Sequence, residues 1–216
     1  MKLFQNTVSS LLWESLNKIM TLESFKHFRL VGGTSLSLQF GHRESVDIDL
    51  FTDETYGSID FLLIEKELKN NFTYVKGDFK ADNGMGVPCF IGNSENDAVK
   101  LDLFYTDPFV FPLVKYDHIR LAAPEEIAAM KLEVVGRGGR KKDFWDLHEL
   151  LDRFTLTELL SFYSTRYPFS YSENELLKKL VDFSETDNDF NPKCYRQKYW
   201  ELIRLDFEEL VLKYQP

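Results

Sequence analysis

The sequence predicts an α/β (α+β) chain: a mixed sheet flanked by helices over residues 1–122, followed by a helical domain over residues 123–216. Three observations predict it. Runs alternating apolar and polar residues cluster before residue 106, and stripes with helical spacing dominate from Pro124 onward. Neither an internal repeat nor a low-complexity linker interrupts the chain, so the boundary is placed near Ala122 and Ala123, where the pattern changes.

Residues 4–26 carry Phe4, Val8, Leu11, Leu12, Ser15, Ile19 and Leu22 at helical spacing, which predicts an amphipathic helix. FRLVGG reads as a short strand ending in a glycine turn, with Thr34 as cap of a short helix SLSLQF that Gly41 closes. SVDIDLF alternates, placing Asp47 and Asp49 on one face and Val46, Ile48 and Leu50 on the other. Ser58 is the expected N-cap of IDFLLIEKELKNN. FTYVKGDF, GVPCFIG and AVKLDLFYT then read as successive strands, which favours an antiparallel or mixed sheet over a regular doubly wound one.

In the second half APEEIAAMKLEVV opens with Pro and two glutamates, the chemistry of a helix start. RGGRKK breaks the pattern, DFWDLHELLDRF resumes it, and Thr155 with Glu158 forms a capping box for the next helix. ENELLKKLVDF and the aromatic-rich YRQKYWELIRLDFEELVLKY complete the helical half.

Composition narrows the function classes. The 19 Phe and 10 Tyr argue against disorder, and a net charge of −9 argues against a protein that coats nucleic acid by neutralising phosphates. Local contact with nucleic acid stays open, since Arg137, Arg140, Lys141 and Lys142 form a basic island. No stretch approaches the roughly 20 apolar residues of a membrane helix, and the N-terminus reads as a mature helix, not a signal peptide. Cys89 and Cys194 suggest neither a disulfide framework nor a zinc site, and a cytoplasmic location is the expectation.

The chemistry is concentrated in VGGTSLSLQFGHRESVDIDLF, residues 31–51. Carboxylates set into an apolar strand need a cation, hydrogen bonds or an exposed rim. Gly32 and Gly33 precede them by a turn and helix, and glycines there let the backbone approach a ligand while helix N–H groups face an anion. KLDLF at 100–104 repeats the logic, so Asp102 projects from the face opposite Leu101 and Leu103. Paired beside the first strand, it would bring three carboxylates together, a donor set suited to Mg²⁺ and substrate phosphates. Two such ions, about 3.5–4 Å apart, would activate a nucleophile and stabilise a pyrophosphate leaving group. Lys131 and the basic island are the candidate cationic clamp.

VGG, thirteen intervening residues and DIDL match the signature of the nucleotidyltransferase superfamily related to DNA polymerase β. More narrowly, GGTSLSLQFGHRESVDIDLF and AAMKLEVVGRGGRKKDFWDLHEL resemble two blocks of the AbiEii/AbiGii toxin family of nucleotidyltransferases, covering most of residues 28–152. The resemblance implies a nucleotidyltransferase-type sheet and Mg²⁺-dependent transfer of NMP from an NTP to an acceptor hydroxyl, with release of pyrophosphate. Asp47, Asp49 and Asp102 would hold metal, with Asp102 also activating the acceptor. Gly32, Gly33, Thr34, Ser45 and Arg43 would line the triphosphate, Lys131 would contact phosphate, and Asp143 or Asp146 would be the family's late aspartate. The site would lie in the cleft between the two domains. The resemblance further implies a toxin with a separately encoded antitoxin and an RNA acceptor, the tRNA 3′ end.

Other readings stand beside this one. The acceptor could be a small molecule or a protein, or the chain could be an inactive NTP- or metal-binding interaction module. His42 reads as a structural hydrogen-bond partner, and Arg43 either holds phosphate or pairs with Glu44 or an aspartate. Asp143 and Asp146 could pair with Lys142 or Arg140, and Phe144 and Trp145 read as core.

Overall fold

The computed structural model describes residues 2–80, 84–187 and 189–215. Two compact units make up the chain: Met1–Phe40 with Ser45–Ala122, and Gly41–Glu44 with Ala123–Pro216.

The first unit begins with a 3₁₀ turn, Gln5–Thr7, then helix α1, Ser10–Met20, and a second 3₁₀ turn, Glu23–Phe25. The helix expected over 4–26 is therefore three pieces. Ser9 accepts a hydrogen bond from Leu12 N at 3.1 Å and starts α1 there, while Thr21 caps its end. The apolar stripe survives the break, because Leu12, Leu16 and Ile19 are fully buried.

Strand β1, Arg29–Leu30, leads into α2, Gly32–Phe40, and β2, Asp47–Thr52. Thr34 lies inside α2 and does not cap it; its hydroxyl is used on β2 instead. Gly41, at φ +72°, closes α2 as expected. Helix α3, Phe61–Asn71, is capped by Asp60, whose carboxylate accepts from Leu63 N at 2.9 Å, and not by Ser58.

β3, Tyr74–Gly77, β4, Gly86–Ser94, and β5, Asp97–Tyr105, are the expected strands. A further hairpin, β6, Val114–Tyr116, and β7, Ile119–Leu121, was not legible in the pattern. Its turn sets Asp117 at φ +49° with no glycine to announce it. The seven strands order as β3-β4-β5-β2-β1-β7-β6. β2–β5 and β1–β7 are parallel and the other pairs antiparallel, so the sheet is mixed. Ile48, Leu50, Val99, Leu101 and Leu103 point into the main core with Leu12, Leu16 and Phe28.

The second unit is helical. It contains α4, Pro124–Gly136, α5, Lys141–Leu150, α6, Leu156–Arg166, α7, Glu173–Lys179, and α8, Trp200–Lys213. Lys141 and Lys142 belong to α5, so the break is shorter than RGGRKK. Thr155 and Glu158 form the expected capping box. The core is aromatic: Trp145 stacks on Trp200 at 5.8 Å, and Phe144 meets Phe183, Trp200 and Phe207. Gly41–Glu44 joins this unit through backbone hydrogen bonds, Glu44 N to Lys193 O and Tyr195 N to His42 O. No helix among the described residues is long and apolar enough to cross a membrane.

Candidate active site

Two clusters of charged side chains hold the five aspartates and Lys131 singled out by the sequence. The first lies on the sheet. β2 and β5 run parallel in a register that sets Asp47 beside Lys100 and Asp49 beside Asp102. Because successive side chains alternate and Ile48, Leu50, Leu101 and Leu103 are fully buried, these four polar residues share the opposite face.

Gly32 fixes how closely α2 meets this face. It sits at φ +66°, and a Cβ there would lie 2.7 Å from Asp49 Oδ2. A side chain is thus excluded both by backbone conformation and by the carboxylate. The first turn of α2 begins beside a carboxylate oxygen, a favourable end-on dipole arrangement.

Thr34 and Ser45 fasten the start of β2. The Thr34 hydroxyl donates to the Asp47 carbonyl and shares a 2.7 Å hydrogen bond with Ser45 Oγ. Both side chains are buried, as is Gly33, and Thr34 ties α2 to the first residue of β2.

Asp102 is partly satisfied. Lys100 Nζ donates to its Oδ2 at 2.5 Å, while Oδ1 is buried with no hydrogen-bond partner. That hydrogen bond raises the Lys100 ammonium above its ordinary value against the opposing effect of burial, and the charges of Asp102, Asp47 and Asp49 add to the rise. Sequence reasoning missed Lys100, although its position two residues before Asp102 already placed it on the same face. Cys89, across from Leu101 on β4, is no competitor as a nucleophile: burial and the Asp102 charge push its thiol up to about 12.

The donor set suits a divalent cation in chemistry: three carboxylates, an unpartnered buried Oδ1, and a glycine where a Cβ would crowd Asp49. No group of three or more His, Cys, Asp or Glu among the described residues is gathered closely enough to hold an ion. Lys100 pairs with Asp102 through Oδ2.

The second cluster is inside the helical unit. Lys131, on α4, places Nζ 2.6 Å from Asp143 Oδ1 and 2.7 Å from Asp146 Oδ2, both carboxylates lying on α5. Arg43 grips Asp146 with two donors, Nε to Oδ1 at 2.6 Å and Nη2 to Oδ2 at 2.8 Å. His42 Nε2 lies 2.8 Å from Asp146 Oδ1. All five side chains are buried, and two cations balance two carboxylates. Burial pushes the Asp146 carboxyl up, but the charges of Arg43 and Lys131 and the His42 contact outweigh it and hold the group well below the usual range.

Asp143 and Asp146 therefore engage Lys131 and Arg43, with a further hydrogen bond from Arg140 N to Asp143 Oδ2 at 2.9 Å. In the basic island, Arg137 pairs with Glu133 at 2.5 Å, Arg140 with Asp189 at 3.0 Å, and Lys141 lies over the Trp200 ring at 5.5 Å. Arg137 and Arg140 thus pair with acids of the same unit while their own side chains stay mostly exposed.

A glycine-started helix thus lies against a strand of alternating aspartates, and a parallel neighbour delivers the third aspartate to the same face. The family described as nucleotidyl transferase AbiEii toxin, Type IV TA system, matches residues 15–213, and the chain belongs to it. It is a nucleotidyltransferase.

An uncharacterized Aquifex aeolicus protein, aq_aa25, is 26% identical over 209 residues, covering 93% of this chain and 94% of its own. JHP933 from Helicobacter pylori shares the fold with TM-score 0.57 at 19% identity, over 95% of this chain and 92% of that one. MenT4, the nucleotidyltransferase toxin Rv2826c of Mycobacterium tuberculosis, gives 0.56 at 13% identity, over 88% and 76%.

Proposed function

We propose that the protein transfers NMP from an NTP to a hydroxyl at the 3′ end of an RNA, a tRNA being the intended acceptor, in a Mg²⁺-dependent reaction. The observation that carries this reading is the register pairing of Asp49 with Asp102, which brings the third aspartate onto the Asp47–Asp49 face. Asp47, Asp49 and Asp102 would hold Mg²⁺, which when bound neutralises charge on the triphosphate and on the departing pyrophosphate.

The chain's own residues do the rest. The acceptor oxygen forms a bond to the α-phosphorus while the bond from that phosphorus to the bridging oxygen breaks, releasing pyrophosphate. The acceptor proton passes to Asp102, whose Oδ1 has no hydrogen bond to lose. Gly32 and Gly33, at the start of α2, would let the phosphates approach the backbone closely, at a point where Gly32 has no room for a side chain beside Asp49. Thr34 and Ser45 hold Asp47 in place. Lys131, Asp143, Asp146 and Arg43 act as positioning residues, because the Lys131 ammonium already serves two carboxylates.

In the cell the activity would be that of a toxin restrained by a cognate antitoxin, a reading supported by the family to which the chain belongs. The test is incubation of purified protein with Mg²⁺ and each α-labelled NTP against RNA, protein and small-molecule fractions. Label is expected in RNA of tRNA size, and absent with Asp49→Ala. Label confined to protein or small molecules would overturn the RNA acceptor, and labelling independent of Asp49 would overturn the site.

A further inference from the structure

We propose that Lys100 is the built-in counter-ion of the acidic face, and that a divalent cation must displace it from Asp102. This rests on the reading above that Asp47, Asp49 and Asp102 hold the metal.

Three observations support it. Lys100 stands directly beside Asp47 across the β2–β5 pair and two residues from Asp102 on the same face. Its Nζ lies 2.5 Å from Asp102 Oδ2, a hydrogen-bonded ion pair. It sets a positive charge on the face that carries these three carboxylates; like charges side by side across a sheet destabilise it.

The pair is asymmetric in exposure, which gives the displacement a route. The Lys100 side chain is 41% exposed and the Asp102 side chain 15%, so the ammonium can swing to solvent while the carboxylate stays. An ammonium and a divalent cation compete for one Oδ2. The protein thus holds its metal-free sheet together with a charge that metal binding has to move, and Lys100 lowers metal affinity in exchange for stability without metal.

The test is titration of purified full-length protein with Mn²⁺, without nucleotide, by calorimetry and by loss of the free-Mn²⁺ EPR signal, with thermal melting in parallel. Lys100→Met is expected to bind Mn²⁺ several-fold more tightly, up to about five-fold, the upper end for a partly exposed ion pair. It should melt lower than wild type without metal, with the gap narrowing as Mn²⁺ is added. Lys100→Arg keeps a counter-ion and should retain weaker, wild-type-like binding.

A side chain that merely supports the fold would, when removed, weaken binding, so the sign decides. Equal or weaker Mn²⁺ binding by Lys100→Met, in a wild type that does bind, overturns this proposal alone. A wild type whose Mn²⁺ binding is absent, or survives Asp49→Ala unchanged, overturns the metal-site reading and this proposal with it. Should Lys100→Met fail to fold, Lys100→Gln in the same titration decides.

Discussion

The two charged clusters use nearly the same ingredients and come out opposite. On the sheet, three partly exposed aspartates share a face with Lys100, which pairs with Asp102 through one oxygen and leaves the other, buried, without a hydrogen-bond partner. In the helical unit, two aspartates meet a lysine and an arginine, all buried and mutually satisfied. Excess negative charge at a rim attracts a cation or an acidic proton, whereas balanced charge in a sealed interior holds chain segments in register. The sheet face is suited to ligands and the helical cluster to structure.

The sharpest way to break this contrast is to delete one carboxylate from each cluster. Asp47→Ala or Asp49→Ala should reduce nucleotidyl transfer by at least about a hundredfold, the scale of removing a key charge-stabilising group. The melting temperature without metal should hold or rise, because like-charge crowding is relieved. Comparable transfer by either variant sinks the assignment.

Lys131→Met should do the reverse. It leaves the Asp143 and Asp146 carboxylates with one cation fewer and should cost about 3–5 kcal/mol in denaturant unfolding, the scale of a broken buried pair. A Lys131→Met protein as stable as wild type but unable to transfer would show instead that this ammonium works on substrate.

A smaller effect is expected from Gly32→Ala. A left-handed backbone and a 2.7 Å approach to Asp49 Oδ2 predict roughly 1–3 kcal/mol of strain. Because the new methyl pushes on Asp49, transfer should fall along with stability, linking fold and chemistry at one atom.

The least effect is in the pH dependence of the helical unit. Asp146 has a depressed folded value, so its contribution is complete above the unfolded value of about 3.9 and is lost as pH falls through the folded one. For Lys131, burial lowers the ammonium but Asp146 and Asp143 raise it further. Its contribution is complete below about 10.4 and is lost as pH rises through the folded value. Urea unfolding should therefore be insensitive to this pair between those limits. Below about pH 4 wild type should lose stability more steeply than Asp146→Asn; equal slopes would contradict the depressed carboxyl.

The alternation of DIDLF and KLDLF was enough to set Asp47 and Asp49 on one face of their strand and Asp102 opposite Leu101 and Leu103, because strand geometry leaves only two choices for each side chain. The pairing that joins the three was only a condition in the sequence. What remained hidden needed partners far along the chain. Arg43 and Asp146 are 103 residues apart, and local pattern carries no sign that a GHR segment will be buried against a helix. Helix starts were misread for a related reason. Asp60, not Ser58, reached Leu63 N, and Thr34 found the Asp47 carbonyl instead of a helix terminus. Several residues were chemically able to cap, and tertiary contacts chose among them.

The assignment of Gly41–Glu44 to the helical unit has a practical consequence. A fragment cut at the apparent boundary, residues 123–216, keeps Asp146 and Lys131 but discards the guanidinium and imidazole that complete their network. The half that looks separable is one that cannot be excised intact, since four residues of it are encoded within the other.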